Sequence, residues 1–238
     1  MVATPTKVQP DQMTYPSSDG EPVAETFVHL YAMLVTLEVL KQYLEGQQAT
    51  VLGNQFLYYS EGLPNARVAP DVMVILGVEP GGRDNYRIWE EGQVPAIIFE
   101  MTSKGTRAQD EVFKKMLYAQ IGVQEYWLFD PKGEWLEVPL QGYRLNGDEY
   151  ESITDGRCEV LGLRVEYEGP LIGFSREDTG ERLLIPSELA TALKQEAAAR
   201  QRAEEEADLE RRKAEQERDR ADRLANKLRE LGIDPDSI

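Results

Sequence analysis

The chain has 238 residues, 41% of them hydrophobic, with 43 Asp and Glu against 26 Lys and Arg and a formal net charge of −17. That length supports one sizeable core with an appendage, or two small domains, and its longest apolar runs fall far short of the ~20 residues a membrane helix needs. The single cysteine, Cys158, excludes an internal disulfide and a cysteine-clustered metal site and points to a reducing cytoplasm, while the acidic balance argues against broad electrostatic capture of nucleic acid, which draws on clustered Lys and Arg.

Residues 1–20 read as a disordered or extended leader, polar and Pro-containing, without the apolar stretch of a signal peptide. In residues 25–45, Phe27, Leu30, Leu34, Leu37, Leu40 and Leu44 recur at helical spacing. Glu25 and Thr26 are its starters and Gly46 its stop. From Ala49 the segments ATVLGNQFLYYS and VAPDVMVILGV are short, β-rich and broken by Gly and Pro. GVEPGGRDNYRIWEEG reads as a loop with some helical content. VPAIIFEMTS is a third strand, and its continuous AIIF run predicts burial on both faces. Residues 106–121 predict a second helix with Val112, Phe113, Met116, Leu117 and Ala119 or Gln120 on its inner side, stopped at Gly122. EYWLFDP is a fourth strand closed by a turn at Asp130-Pro131-Lys132-Gly133. Short β segments follow in EWLEVPLQGYRL, YESIT, GLRVEYEG and LIGFS.

Near Pro186 the texture changes to a run of Ala, Glu, Arg, Lys and Gln without Gly or Pro before Gly232, which predicts a long helix. Ala207, Ala214, Ala221 and Leu228 lie seven apart and Leu224 and Leu231 add a second heptad position, which Glu210 and Glu217 interrupt further back. The helix therefore reads either as a coiled coil or as a solvated charged helix. Gln201 to Glu230 holds ten acidic and nine basic residues, so most of the −17 lies on the rest of the chain.

Three positions carry chemistry. Pro70 drives Ala69 toward an extended conformation, and Asp71 then opens an apolar strand, where a carboxylate is expensive unless it is paired or binds a metal; a Pro-Asp dipeptide can equally end a turn. Glu100 follows four apolar residues of a strand, pointing into a core or cleft, where it binds a metal or pairs with a core Arg or Lys. Two carboxylates on neighbouring strands repel unless a cation lies between them, and Mg²⁺ takes one or two carboxylates together with waters and phosphate oxygens. Lys114 and Lys115 lie mid-helix, either as solvated lysines or reaching along the apolar face to the strand end.

Read as a set, V-A-P-D-V at 68–72, I-F-E-M-T-S-K at 98–104, K-K-x-L-Y-x-x-I-G-V-x-E-Y-W-L-F-D-P at 114–131 and L-Q-G-Y-R-L at 140–145 resemble the Uma-two family of restriction endonucleases, common in cyanobacteria and part of the PD-(D/E)xK nuclease superfamily. A-E-T-x-x-H at 24–29 and V-E-P-x-x-R at 78–83 fit as well, and the likeness spans roughly residues 15–190. The resemblance implies an α/β (α+β) restriction-endonuclease-like fold, with an α-β-β-β-α-β core and a mixed central sheet flanked by helices, to which the long C-terminal helix is added. It implies Asp71 and Glu100 as metal ligands for Mg²⁺ or Mn²⁺, Lys114 as the catalytic lysine and Glu25 as an additional acid. The superfamily spacing would place the lysine at 102, which here is Thr102; Lys104 lies beyond the strand in a Gly-containing loop. His29, one turn after Glu25, reads as a packed or hydrogen-bonded histidine rather than a ligand.

The resulting expectation is a cytoplasmic, metal-dependent endonuclease of DNA with a leader (1–20), a nuclease domain (21–186) and a charged helix (187–238), forming a homodimer. Its hold on DNA would be weak and salt-dependent, with Arg67, Arg83, Arg87, Lys104 and Arg107 near the site in sequence. The rival readings are a catalytically degenerate nuclease fold working as an interaction or oligomerisation protein through its C-terminal helix, and a hydrolase of some other phosphate ester.

Overall fold

The structure, a computed structural model, describes residues 14–18, 20 and 26–230. In chain order the elements are α1 (Phe27–Tyr43), β1 (Ala49–Gly53), β2 (Leu57–Tyr58), β3 (Arg67–Val68), β4 (Val72–Leu76), β5 (Tyr86–Arg87), α2 (Ile88–Glu91) and β6 (Ile97–Met101). A π-helical stretch, Gln109–Lys114, then runs into α3 (Lys115–Ile121). After it come β7 (Glu125–Phe129), β8 (Leu140–Asn146), β9 (Glu149–Ile153), β10 (Arg157–Cys158), β11 (Leu163–Glu168), β12 (Leu171–Arg176) and α4 (Pro186–Glu230). The chain divides into two units, Met1–Pro186 and Ser187–Ile238.

The first unit is built on a six-stranded mixed sheet in the order β1-β4-β6-β7-β8-β9. Every pairing in it is antiparallel except β6 with β7, which is parallel. Taken with α1 and α3, the strands β1, β4, β6 and β7 form the α-β-β-β-α-β core. Two small sheets, β3-β2-β5 and β10-β11-β12, complete the unit.

Strand alternation sorts the apolar side chains onto two faces. Val72, Val74, Ile97, Phe99, Met101, Trp127 and Phe129 pack with α1. Met73, Ile75, Ile98, Tyr126 and Leu128 pack with Leu117 and Tyr118 of α3. All five residues of β6 are buried, as its unbroken apolar run requires. Because Glu100 alternates with Phe99 and Met101, it falls on the α3 face. On the opposite face, Gly142 of β8 sits so close to Trp127 that an added Cβ would lie 2.6 Å from the indole ring.

Both helices of the core bury only part of the face their apolar spacing suggests: Leu40, Leu44 and Leu117 are buried as expected, and the rest of the inward face differs. In α1 the buried residues are His29, Ala32, Met33, Val35, Thr36, Val39 and Leu40, whereas Phe27, Leu30 and Leu34 are exposed. The helix is apolar almost all round, so periodicity alone does not choose its face. In the second helix Val112, Phe113 and Met116 are exposed, and Asp110, Leu117 and Tyr118 are buried. The π-helical turn, with its wider i→i+5 winding, changes the angular spacing that an α-helical reading assumes. Gly122 closes α3 in the left-handed conformation (φ 88°) and Thr26 caps α1, its hydroxyl accepting from the His29 amide.

Taken by itself, α4 runs for 45 residues with no buried side chain. Among the described residues no helix is long and apolar enough to cross a membrane.

Candidate active site

The first carboxylate is set by the antiparallel pairing of β4 with β6, in which Val72 lies opposite Phe99. One residue further along, Asp71 and Glu100 meet: the Asp71 amide faces Glu100 Oε2 at 3.4 Å, and Asp71 Oδ2 accepts from the Met101 amide at 2.7 Å. The strand pairing itself therefore brings the two acids together and fixes the orientation of Asp71. The Asp71 side chain keeps 17% of its surface exposed, while that of Glu100 keeps 1%.

The helical segment after β6 supplies the remainder. Lys114 Nζ stands 2.9 Å from Glu100 Oε2 and 2.9 Å from Asp110 Oδ1. Tyr118 donates its hydroxyl to Glu100 Oε1 at 2.6 Å. Asp110, Lys114 and Tyr118 follow at four-residue intervals on one helical face. The Thr102 hydroxyl, two residues after Glu100, donates to Asp110 Oδ2 at 2.9 Å. From the other face of the sheet, His29 brings Nε2 to 3.6 Å from Asp71 Oδ2.

The electrostatics follow from three carboxylates gathered around one ammonium. Burial pushes the Glu100 carboxyl up to about 8; Lys114 pulls against this, and the negative charges of Asp71 and Asp110 add to it. Burial by itself would lower the Lys114 ammonium, but Glu100, Asp110 and Asp71 outweigh it and hold the group above the ordinary lysine range. Burial, then the charge of Glu100, pushes the Tyr118 phenol well up, so it remains a donor. Other buried acids are satisfied differently. Glu125 accepts from Arg144, the Trp127 indole and the Glu159 amide, and Asp130 ties down a loop through four backbone amides.

This donor set fits a hard divalent cation. Among the described residues no group of three or more His, Cys, Asp and Glu side chains is arranged to hold a metal. A Mg²⁺-type ion is satisfied by one or two carboxylates, with waters and phosphate oxygens completing its shell. Asp71 and Glu100 provide that number, and the local excess of negative charge favours a cation.

Of the residues singled out in the sequence, Asp71, Glu100 and Lys114 come together. Glu25 lies outside the described residues. Lys104 is exposed and stands beside Trp135, its Nζ 6.0 Å from the ring centroid. The arginines close to these residues in sequence are engaged locally: Arg83 pairs with Glu91, Arg87 with Glu90 and Arg107 with Glu111, while Arg67 lies over the Phe56 ring. Sequence reading missed Asp110 and Tyr118, although their spacing of four residues on either side of Lys114 marks a shared helical face.

The profile of the Uma2 family, described as "Putative restriction endonuclease", matches residues 7–165. No curated protein matches the chain. A solved structure described as "a putative nuclease belonging to DUF820 from Anabaena variabilis ATCC 29413" is similar with a TM-score of 0.39 and 17% sequence identity, over 59% of this chain and 76% of that one.

Proposed function

We propose, on the premise that this chain belongs to the Uma2 family, that it is an endonuclease hydrolysing DNA phosphodiester bonds with Mg²⁺ or Mn²⁺ held by Asp71 and Glu100. The observation that carries this reading is the convergence of two strand-end carboxylates and a buried lysine, with Lys114 Nζ 2.9 Å from Glu100 Oε2.

The roles follow from position and charge. A divalent cation held there supplies Lewis-acid charge against the phosphoryl oxygens. Asp71, the more exposed of the two ligands, faces the incoming phosphate. Lys114 keeps its proton and acts as a fixed positive charge that orients the attacking water and offsets charge building on phosphorus. Tyr118 and the Met101 amide position Glu100 and Asp71, and Asp110 and Thr102 position Lys114. Glu25 is assigned as an additional acid through its place one residue before the α1 cap.

The same reading makes 21–186 the nuclease domain and 187–238 an appended helix that joins two copies. The long helix with no buried side chain and the seven-residue spacing of Ala207, Ala214, Ala221 and Leu228 support that dimer.

The test is cleavage of supercoiled and linear DNA at low salt. Cleavage is expected to require Mg²⁺ or Mn²⁺ and to vanish in Asp71→Ala and Glu100→Ala chains that remain folded. Full cleavage by both variants would sink the assignment.

A further inference from the structure

Beside the carboxylate cluster lies a cavity of about 180 Å³ between the first turn of α1 and the loops that follow β6 and β7. Those two strands are the parallel pair of the sheet, and the crevice beyond the carboxyl ends of parallel strands is where open α/β sheets bind ligands. Its lining includes Thr26, His29, Thr102, Lys104, Lys132 and Trp135. His29 also lies 3.6 Å from Asp71, so cavity and carboxylates share a wall.

The loop bearing Lys132 and Trp135 is held in shape from beneath. Asp130, with no exposed surface, accepts from the amides of Lys132 and Gly133 through Oδ1 and from those of Trp135 and Leu136 through Oδ2. A buried charge spent on four backbone amides fixes a loop that carries an aromatic ring and a cation to the cavity. Lys104 stands across that ring, 6.0 Å from its centre.

We propose that this cavity takes one unpaired nucleotide of DNA next to the scissile phosphate, with its base stacked on Trp135 and its phosphate against Lys104 and Lys132. The inference rests on the nuclease reading above and narrows its substrate to DNA with a single-stranded element. A ring inside a concavity can stack only on a base that has left its helix. Net charge decides the rest. A chain at −17, with Arg83, Arg87 and Arg107 paired to glutamates, has few free cations to place along a duplex. Aromatic stacking reinforced by two lysines needs few phosphate contacts.

The experiment is fluorescence anisotropy of labelled oligothymidylate and of a blunt duplex with the full chain in EDTA, so that no cleavage intervenes. The single strand is expected to bind more tightly than the duplex. Trp135→Leu should weaken single-strand binding roughly tenfold, with Trp135→Phe recovering most of the loss. Replacing Lys104 and Lys132, both exposed, by Ala should weaken binding and reduce the log–log salt slope by about 1.4. No single-strand binding by the wild type, a preference for blunt duplex, or unchanged binding by both the Trp135 and the lysine variants would overturn the subsite. Glu100→Gln separates the two readings. If no form cleaves but the cavity variants lose binding, the nuclease reading fails and the subsite stands. If cleavage needs Glu100 while the cavity variants bind and cut as wild type does, only the subsite fails.

Discussion

Lys114 Nζ stands 2.9 Å from Glu100 Oε2, although Lys114 belongs to the helical segment after β6 and Glu100 to β6 itself. Thr102, two residues beyond the acid, cannot supply an ammonium, and Lys114 does so from the helix above it. Lys114→Met should therefore do two things at once. It removes a fixed positive charge at the reacting phosphate, with an expected fall in cleavage rate of about 100-fold or more. It also leaves Glu100 and Asp110 buried without a cation, at an expected cost of roughly 3–5 kcal/mol in urea unfolding. Wild-type cleavage by a folded Lys114→Met chain would remove the lysine from the proposed chemistry.

Burial above all raises the Glu100 carboxyl from an ordinary 4.5 to about 8. A group with a raised folded-state pKa stabilises the fold fully below its unfolded value and loses that contribution as pH rises through its folded value. In metal-free buffer, stability should thus decline between about pH 5 and about pH 8, by at most about 1.4 kcal/mol per pH unit from this group. Glu100→Gln should lack that part of the slope. Parallel unfolding midpoints for the two chains across the range would show that Glu100 does not take up the proton.

Tyr118→Phe separates positioning from packing. The ring remains between β6 and β7 neighbours, while the hydroxyl that donates to Glu100 Oε1 at 2.6 Å is lost. A typical hydrogen bond contributes about 0.5–1.5 kcal/mol net, and about 1.5–3 kcal/mol where the acceptor is ionised, as Glu100 is above about pH 8 or with a cation bound. Cleavage should fall with the metal concentration for half-maximal activity shifted upward, which simple loosening of the core would not produce. An unchanged metal dependence would make Tyr118 a packing residue only.

Gly142→Ala tests the sheet away from the site. Its Cβ would meet the Trp127 ring at 2.6–2.8 Å. Because that ring is buried against Phe99, the expected loss is about 1–3 kcal/mol of stability, read from the shift in urea midpoint.

A chain ending at Pro186 addresses the long helix. It should sediment as a monomer with its cleavage of single sites retained. A persistent dimer would move the contact to the nuclease domain.

The sequence by itself determined most of the order of elements and marked Asp71, Glu100 and Lys114 as candidates, Lys114 through the family resemblance. Asp71 and Glu100 stand out because carboxylates seldom border or enter apolar strands without a partner, and the Gly stops and unbroken AIIF run mark their elements through local backbone and solvation preferences. What only the tertiary structure decided is which faces meet. The near-uniformly apolar α1 leaves its inward side to packing, and in the second helix the π-helical turn Gln109–Lys114 changes the winding that side-chain spacing assumes. That turn belongs to the segment that faces Asp110, Lys114 and Tyr118 toward Glu100, and the β4–β6 register sets Asp71 beside it. Long-range pairing, absent from any local stretch of sequence, therefore makes a charge cluster out of residues as far apart as 71 and 118.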